Sequence, residues 1–363
     1  MSSLAVNAIT DASGGNTASI NGATPTTDNT MGRNRIINGD MRIDQRNAGA
    51  AVTSGYPVDR FQISNTSDGT FSAQQDSSAP AGFTKSLKVT ITSADSSLTT
   101  TQRLMIVQQI EGYNVADFGF GAVDAQTVTL SFWVRSSLTG TFGGSLLNGG
   151  SNRSYPFTYS ISAADTWEYK TITVAGDTTG TWATDNSSGM RVYIGLGAGP
   201  DVSGTAGAWA GANYASATGA TSVVGTNGAT FYITGVQLEA GSVATSFERR
   251  SYGQELALCQ RYFYLTNATN TSKNGGMWGT MYSTYTSHIT GSLPVPMRVA
   301  PTATRGGSSD TFYVSNITAT SAGTFQNYAS STTNIDVEVT SMSTGVVGYP
   351  VQYNGQLSLN AEL

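Results

Sequence analysis

Enzymatic chemistry at a protein surface usually starts from histidine, cysteine or paired carboxylates, and this 363-residue chain is poor in the first two. Its single histidine, His288, lies in the run Tyr285-Thr286-Ser287-His288-Ile289-Thr290, whose alternation reads as a strand or surface position. A Ser-His-Asp or Cys-His relay would have to be built on that one imidazole. The single cysteine, Cys259, falls on an apolar helical stripe and reads as buried and inert. No intrachain disulfide and no cysteine-based zinc site can form. Glycoside hydrolysis needs two facing carboxylates. The chain has 23 acidic residues, but no motif marks a pair among them. Arg135 and Glu168 read as solvated strand residues. Gly195-Leu196-Gly197-Ala198-Gly199 lacks the helix and acidic partner of a nucleotide site and reads as a loop. The expectation is a protein without catalytic activity.

Aromatic residues offer a different chemistry. A flat ring stacks on the C–H face of a sugar, and a neighbouring amide pairs with its hydroxyls. Trp209, Asn213 and Tyr214 fit this, because they are the bulky and amide groups of a stretch, 197–229, made almost wholly of Gly, Ala, Ser, Thr and Asn. Ordering so many small residues is costly and buries little apolar area, which makes sense if the segment presents something. The competing reading is that both rings merely hold the loop down. Trp182 and Tyr193 are further candidates, with core or rim packing as their alternative. In the last hundred residues Met277-Trp278, Tyr282 and Tyr285 form another aromatic group, for which packing between copies of the chain is the commoner explanation.

These side chains need strands to position them. Charged residues are only 11%, Gly numbers 42, and Thr and Tyr are plentiful, a composition that favours sheet over helix. Ser86-Leu87-Lys88-Val89-Thr90-Ile91-Thr92 alternates strictly, as does Val128-Thr129-Leu130-Ser131-Phe132-Trp133-Val134-Arg135. Tyr169-Lys170-Thr171-Ile172-Thr173-Val174 and Arg191-Val192-Tyr193-Ile194-Gly195-Leu196 repeat the pattern, so each predicts a strand with one buried face. In Phe231-Tyr232-Ile233-Thr234-Gly235-Val236-Gln237-Leu238 the phase switches at Gly235, which predicts a bulge. Ser251-Tyr252-Gly253-Gln254 fits a capping box, and the apolar spacing after it predicts a helix over 251–265 that is apolar on more than one face. Strand patterns return at 311–314, 335–339 and 357–363, with Leu293-Pro294-Val295-Pro296 as an edge or connector.

The expected organisation is therefore all-β: a jelly-roll β-sandwich over 35–250, a linker helix over 251–265, and a small C-terminal β-domain over 266–363. Residues 1–34 hold little that could form a core and read as an attachment segment. No run of Lys or Arg exists, and net charge is −5, which argues against nucleic-acid binding. No stretch is apolar enough for membrane insertion, and the N-terminus lacks the pattern of a secretory signal.

Several segments resemble a known group of proteins. Arg35-Ile36-Ile37-Asn38-Gly39-Asp40-Met41 looks like the opening strand of carbohydrate-binding jelly-roll modules. Leu130-Ser131-Phe132-Trp133-Val134-Arg135, Trp167-Glu168-Tyr169 and Ile233-Thr234-Gly235-Val236-Gln237-Leu238-Glu239-Ala240-Gly241 occur in that order in such modules of bacteriophage tail fibres. The run from Val243 to Tyr262 is similar to the helix-linker of those proteins, and Pro294-Val295-Pro296-Met297-Arg298-Val299-Ala300-Pro301 with Asn360-Ala361-Glu362-Leu363 to their C-terminal domain. The resemblance covers about residues 33–363. It implies a virion-borne receptor-binding fibre, a homotrimer with the linker helix at its axis, attached to a phage tail or other virion protein by its N-terminal segment and binding bacterial surface polysaccharide. It also implies a structural Ca2+ near the first and last strands of the jelly-roll, to which Asn38, Asp40 and Glu239 could contribute oxygens, ordinary turn and strand roles being their alternative. A purely structural connector or capsid decoration protein and a surface-polysaccharide depolymerase are the rival readings. The depolymerase is disfavoured because no rung-like repeat is found.

Overall fold

The computed structural model describes residues 32–266, 277–283, 285–305, 311–314, 317–319, 325–327, 330–340, 350–354 and 357–363. Most of the expected attachment segment, and the side chain of Trp278, lie outside the described residues. The chain divides into two compact units. The first holds 32–42, Gly49–Pro57 and Phe61–Arg249, and the second holds Ile43–Ala48, Val58–Arg60 and the chain from Arg250 onward.

The first unit is a jelly-roll sandwich. Its strands are β1 (Gly55–Val58), β2 (Phe61–Asn65), β3 (Thr70–Asp76), β4 (Ser86–Ser93), β5 (Arg103–Glu111), β6 (Val128–Ser136), β7 (Gly140–Asn148), β8 (Ser154–Ile161), β9 (Glu168–Val174), β10 (Ser188–Ala198), the two-residue pieces β11 (Ser203–Gly204) and β12 (Ser216–Ala217), and β13 (Thr230–Ala240). One sheet runs β1-β2-β5-β10-β7-β8 and the other β3-β4-β13-β6-β9, so the chain crosses repeatedly between the two. Val128, Leu130, Phe132 and Val134 are fully buried, as the alternation of β6 demands. Phe132 meets Tyr159 of β8 edge-on at 5.1 Å, and Phe142 of β7 meets Phe231 of β13 at 6.1 Å, so aromatic rings fill the space between the sheets.

The predicted bulge is present. Thr234 pairs with Trp133 and Gln237 with Ser131, so Gly235 and Val236 together face Phe132. Gly235 has φ +62°, a left-handed conformation costly for a residue with a Cβ. The segment expected as the opening strand lies against this bulge in irregular form, with Asn38 and Met41 both at positive φ. Val236 N–H donates to Gly39 O and Arg35 N–H to Leu238 O, both at 2.9 Å.

In the second unit, Ser251 and Gln254 cap a helix, α1 (Tyr252–Gln260), reciprocally through side chain and backbone. The helix is shorter than the expected 251–265. Residues Phe263–Leu265 form β14, because their backbone pairs with a strand near the C-terminus. The other strands are β15 (Met277–Ser283), β16 (Thr286–Ser292), β17 (Thr302–Arg305), β18 (Thr311–Val314), β19 (Ile317–Ala319), β20 (Phe325–Asn327), β21 (Asn334–Val339), β22 (Pro350–Asn354) and β23 (Leu357–Asn360). They form the sheets β14-β23-β17 and β19-β18-β22-β15-β16-β21-β20 around Met281, Ile289, Val337, Val351 and Leu359. Cys259 is fully buried, and burial pushes its thiol well above the usual range.

A charged clamp closes this unit. Glu362 accepts from Arg46 at 3.0 Å and pairs with Arg60. Arg60 lies 3.5 Å over the Tyr262 ring, and Arg46 lies 3.7 Å over Phe263. Asp59 accepts from Gln45 and Arg46, yet burial lifts its carboxyl to about 6. Arg298 donates to the carbonyls of Ala361 and Glu362 at 2.8 and 2.7 Å, fastening the chain end.

Candidate functional site

The glycine-rich segment after β10 is more ordered than its composition suggests. Val202, Ala215, Ala217, Val223 and Val224 are buried, so small apolar side chains supply core contacts that the sequence pattern concealed. The segment is also stitched to the edge strand β8. Ala210 and Ser154 exchange backbone hydrogen bonds at 2.8 and 3.0 Å, and Gly207 N–H donates to Pro156 O at 2.9 Å. Ser154 Oγ donates to Ala212 O and accepts from Tyr214 N–H.

This stitching sets Trp209 beside aromatic side chains from three other places. Its ring meets Trp182 of the β9–β10 loop at 5.5 Å, Tyr155 of β8 at 5.3 Å, and Phe120 from the turn after β5 at 5.8 Å. Trp182 in turn meets Phe120 at 4.8 Å. Ring pairs in this geometry contribute about 0.5–1.5 kcal/mol each beyond their buried area. All four rings are half-buried. Both indole N–H groups are satisfied from within: Trp209 donates to Ala175 O at 2.7 Å and Trp182 to Thr179 O at 3.3 Å. What the indoles leave accessible is therefore carbon surface, not donor. Phe120, Trp182, Val115 and Met190 line a shallow depression at this place.

An ion pair fixes the loop that carries Trp182. Arg153 grips Asp177 with two hydrogen bonds, Nε to Oδ2 at 2.7 Å and Nη2 to Oδ1 at 2.5 Å. Burial works to raise the Asp177 carboxyl, but the Arg153 guanidinium and the Thr179 donors outweigh it and hold it below its ordinary value. The same guanidinium is held charged more firmly by that hydrogen bonding.

The expected binding residues divide. Trp182 and Trp209 come together in one cluster. Asn213 and Tyr214 are half-buried in the same segment, and Tyr214 N–H donates to Ser154 Oγ, next to Tyr155 in the chain. Tyr214 lies flat on Gly204, where an added Cβ would stand 2.3 Å from the ring. The Oδ1 of Asn213 is shielded from solvent and has no hydrogen-bond partner among the described residues. Tyr193 does not join them. It is 4% exposed and packs with Met105, Val107, Leu147 and Ala215, which leaves no ring face for a ligand. Phe120 and Tyr155 were missed in the sequence, since neither sits in a loop of unusual composition.

Of the expected calcium ligands, Asp40 keeps one shielded oxygen, Oδ1, without a hydrogen-bond partner among the described residues. Both Glu239 oxygens are taken, accepting from Gln237, Thr245 N–H and Thr245 Oγ at 2.6–2.9 Å. Asp40 pairs with Arg42. Asn38 is fully buried at a turn. Among the described residues no group of three or more His, Cys, Asp or Glu side chains could hold a metal ion.

No family model matches the chain, and no curated protein matches it. Among solved structures it is similar to TmCBM61 in complex with β-1,4-galactotriose, at 10% identity over 58% of this chain and 99% of that one, TM-score 0.30. It is similar to a family 11 carbohydrate-binding module of a Clostridium thermocellum cellulosomal cellulase, at 12% identity over 56% and 100%, TM-score 0.27. It is also similar to the enzymatically active domain of tailspike protein 4 of bacteriophage CBA120, at 11% identity over 57% of this chain but 21% of that one, TM-score 0.30. Scores of this size carry no argument about ligand or activity, and what the chain binds must be read from its own side chains.

Proposed function

We propose that this chain is the host-binding part of a bacteriophage fibre, a non-catalytic adhesin that holds the virion on bacterial surface glycans. The observation that carries this reading is the Trp182–Trp209 cluster. Two half-buried indoles, their N–H groups satisfied internally, are held rigid by Phe120, Tyr155 and the Arg153–Asp177 pair. Such a surface offers a sugar ring its C–H stacking at little ordering cost. The sequence resemblance to fibre proteins supplies the setting: a homotrimer anchored by the N-terminal segment. Three weak sites on one particle gain avidity through effective concentration.

The test is retention of the purified protein on host cells and on a glycan array, read beside its mass in solution. A mass three times that of one chain is expected. Trp182→Ala and Trp209→Ala, each still folded by circular dichroism, should lose most retention. Full retention by both variants would move the site elsewhere. Reducing ends released from host polysaccharide by the wild type would overturn the non-catalytic reading.

A further inference from the structure

We propose that the outward face of the five-stranded sheet is a second ligand site, one that takes a carboxylate-bearing polysaccharide lying across the strands. The inference is independent of the Trp182–Trp209 cluster.

On β6 the buried residues alternate with Trp133 and Arg135, which face outward. The strand pairings place their neighbours. Gln74 of β3 is opposite Lys88 of β4, Lys88 is opposite Tyr232 of β13, and Tyr232 is opposite Arg135. At a strand spacing of roughly 4.8 Å this row of four is about 14 Å long. A second row runs beside it, with Thr234 opposite Trp133 and Trp133 opposite Tyr169 of β9. Trp133 and Tyr169 are in ring contact at 5.4 Å, and Trp167 meets Tyr232 edge-on at 6.1 Å. Tyr169 is 43% exposed. The result is a strip of rings with two cations set into it.

Both cations lie over one ring, Arg135 at 5.0 Å and Lys88 at 5.5 Å from the Tyr232 centroid. The ion pairs of both are long: Arg135, which also donates to Ser78 Oγ at 3.0 Å, is 3.4 Å from Asp165, which is more than half exposed, and Lys88 is 3.9 Å from Asp76. Surface pairs of this kind are weak, so an incoming anion can displace them. Rings for C–H stacking and a planar guanidinium for a carboxylate together fit an acidic sugar chain. A nucleic acid fits less well, because it brings a phosphate at every residue to a chain of net charge −5.

The experiment uses the full chain and measures electrophoretic retardation in gels containing polygalacturonate, fully methyl-esterified polygalacturonate, or neither, with a single-stranded DNA oligonucleotide as a separate probe. Retardation by polygalacturonate is expected, at least about tenfold stronger than by the ester and weaker in added salt. Arg135→Ala and Trp133→Ala should each lose it, while Arg135→Lys keeps part of it. Circular dichroism checks that the variants fold. Equal retardation by acid and ester, retardation by neither, binding to DNA alone, or unchanged behaviour of folded Arg135→Ala would each overturn the proposal. Trp182→Ala and Trp209→Ala run in the same gels should behave as wild type. Their loss of cell retention beside intact polygalacturonate binding separates the failure of one site from that of the other.

Discussion

The two units each rely on arginine gripping a carboxylate, and they use the pair for opposite ends. In the sandwich, Arg153 holds Asp177 at the root of the β9–β10 loop, with the guanidinium still 20% exposed. There the pair fixes a surface, since the loop it pins carries Trp182. In the second unit, Glu362 sits between Arg46 and Arg60, and all three are largely buried and covered by the rings of Tyr262 and Phe263. There the pair joins distant pieces of chain. The same chemistry therefore shapes a site where water reaches it and closes a core where water does not.

The contrast is broken most severely at Glu362. Glu362→Ala strands two buried guanidinium groups and should destabilise the second unit by about 3–5 kcal/mol. Glu362→Gln, which keeps an acceptor, should cost less. Hydrogen exchange at the β14 and β23 amides reads the effect, and unchanged protection would show that the clamp carries no load. Arg153→Ala comes next. It leaves the Asp177 carboxylate, only 2% exposed, without its cation and should cost the sandwich about 2–3 kcal/mol. Indole fluorescence should shift with it as Trp182 loosens, and an unshifted spectrum would detach the pair from the site.

The smallest effect sharpens the comparison through pH. Asp59 stands at about 6 when folded, against an ordinary value of 3.8, because of burial. Its folded value is the higher one, so its contribution to stability is full below about 3.8 and is lost as pH rises through about 6. Asp177 and Glu168 lie on the other side of their ordinary values. Lys170, by hydrogen bonding, holds the Glu168 carboxyl low. Their contributions are present above the usual carboxylate range and are lost as pH falls through the lowered values. Moving from pH 7 to pH 5 should then steady the second unit by about 1 kcal/mol and leave the sandwich nearly unchanged. Unit-resolved hydrogen exchange at the two pH values checks this, and Asp59→Asn should abolish the difference.

Much of the sandwich was legible because alternation is a local property. β4, β6, β9 and β13 appear where Leu87, Val89, Phe132, Ile172 and Phe231 recur at every second position, and the bulge appears where Gly235 breaks that rhythm. β7 was not legible. Its Gly143 and Gly144 look like loop residues, but an added Cβ at Gly144 would stand 2.3 Å from Tyr193 O and 2.5 Å from the Phe157 ring. They are glycine because neighbours crowd them, a fact held in distant parts of the chain. The cap at Ser251 was legible and the end of its helix was not. Phe263 and Leu265 continue the helical spacing, and only their pairing with Asn360 and Ser358 makes them a strand. Of the candidate site, Trp182 and Trp209 could be picked out by residue type. Tyr155 and Phe120, which make them a surface, are joined to them by folding alone.

The second unit draws on Ile43–Ala48 and Val58–Arg60, made some 190 residues before α1. A ribosome therefore completes the clamp only when Glu362, 302 residues after Arg60, has been added. The same layout governs inheritance. A recombination event that cuts the gene after Arg249 and joins a foreign segment in place of 250–363 would leave Arg46, Asp59 and Arg60 facing a strand end that did not evolve with them. A protein built this way can exchange residues 250–363 cleanly only if the incoming piece is matched by its own versions of 43–48 and 58–60, so the natural unit of exchange is a set of separated stretches of gene and not one.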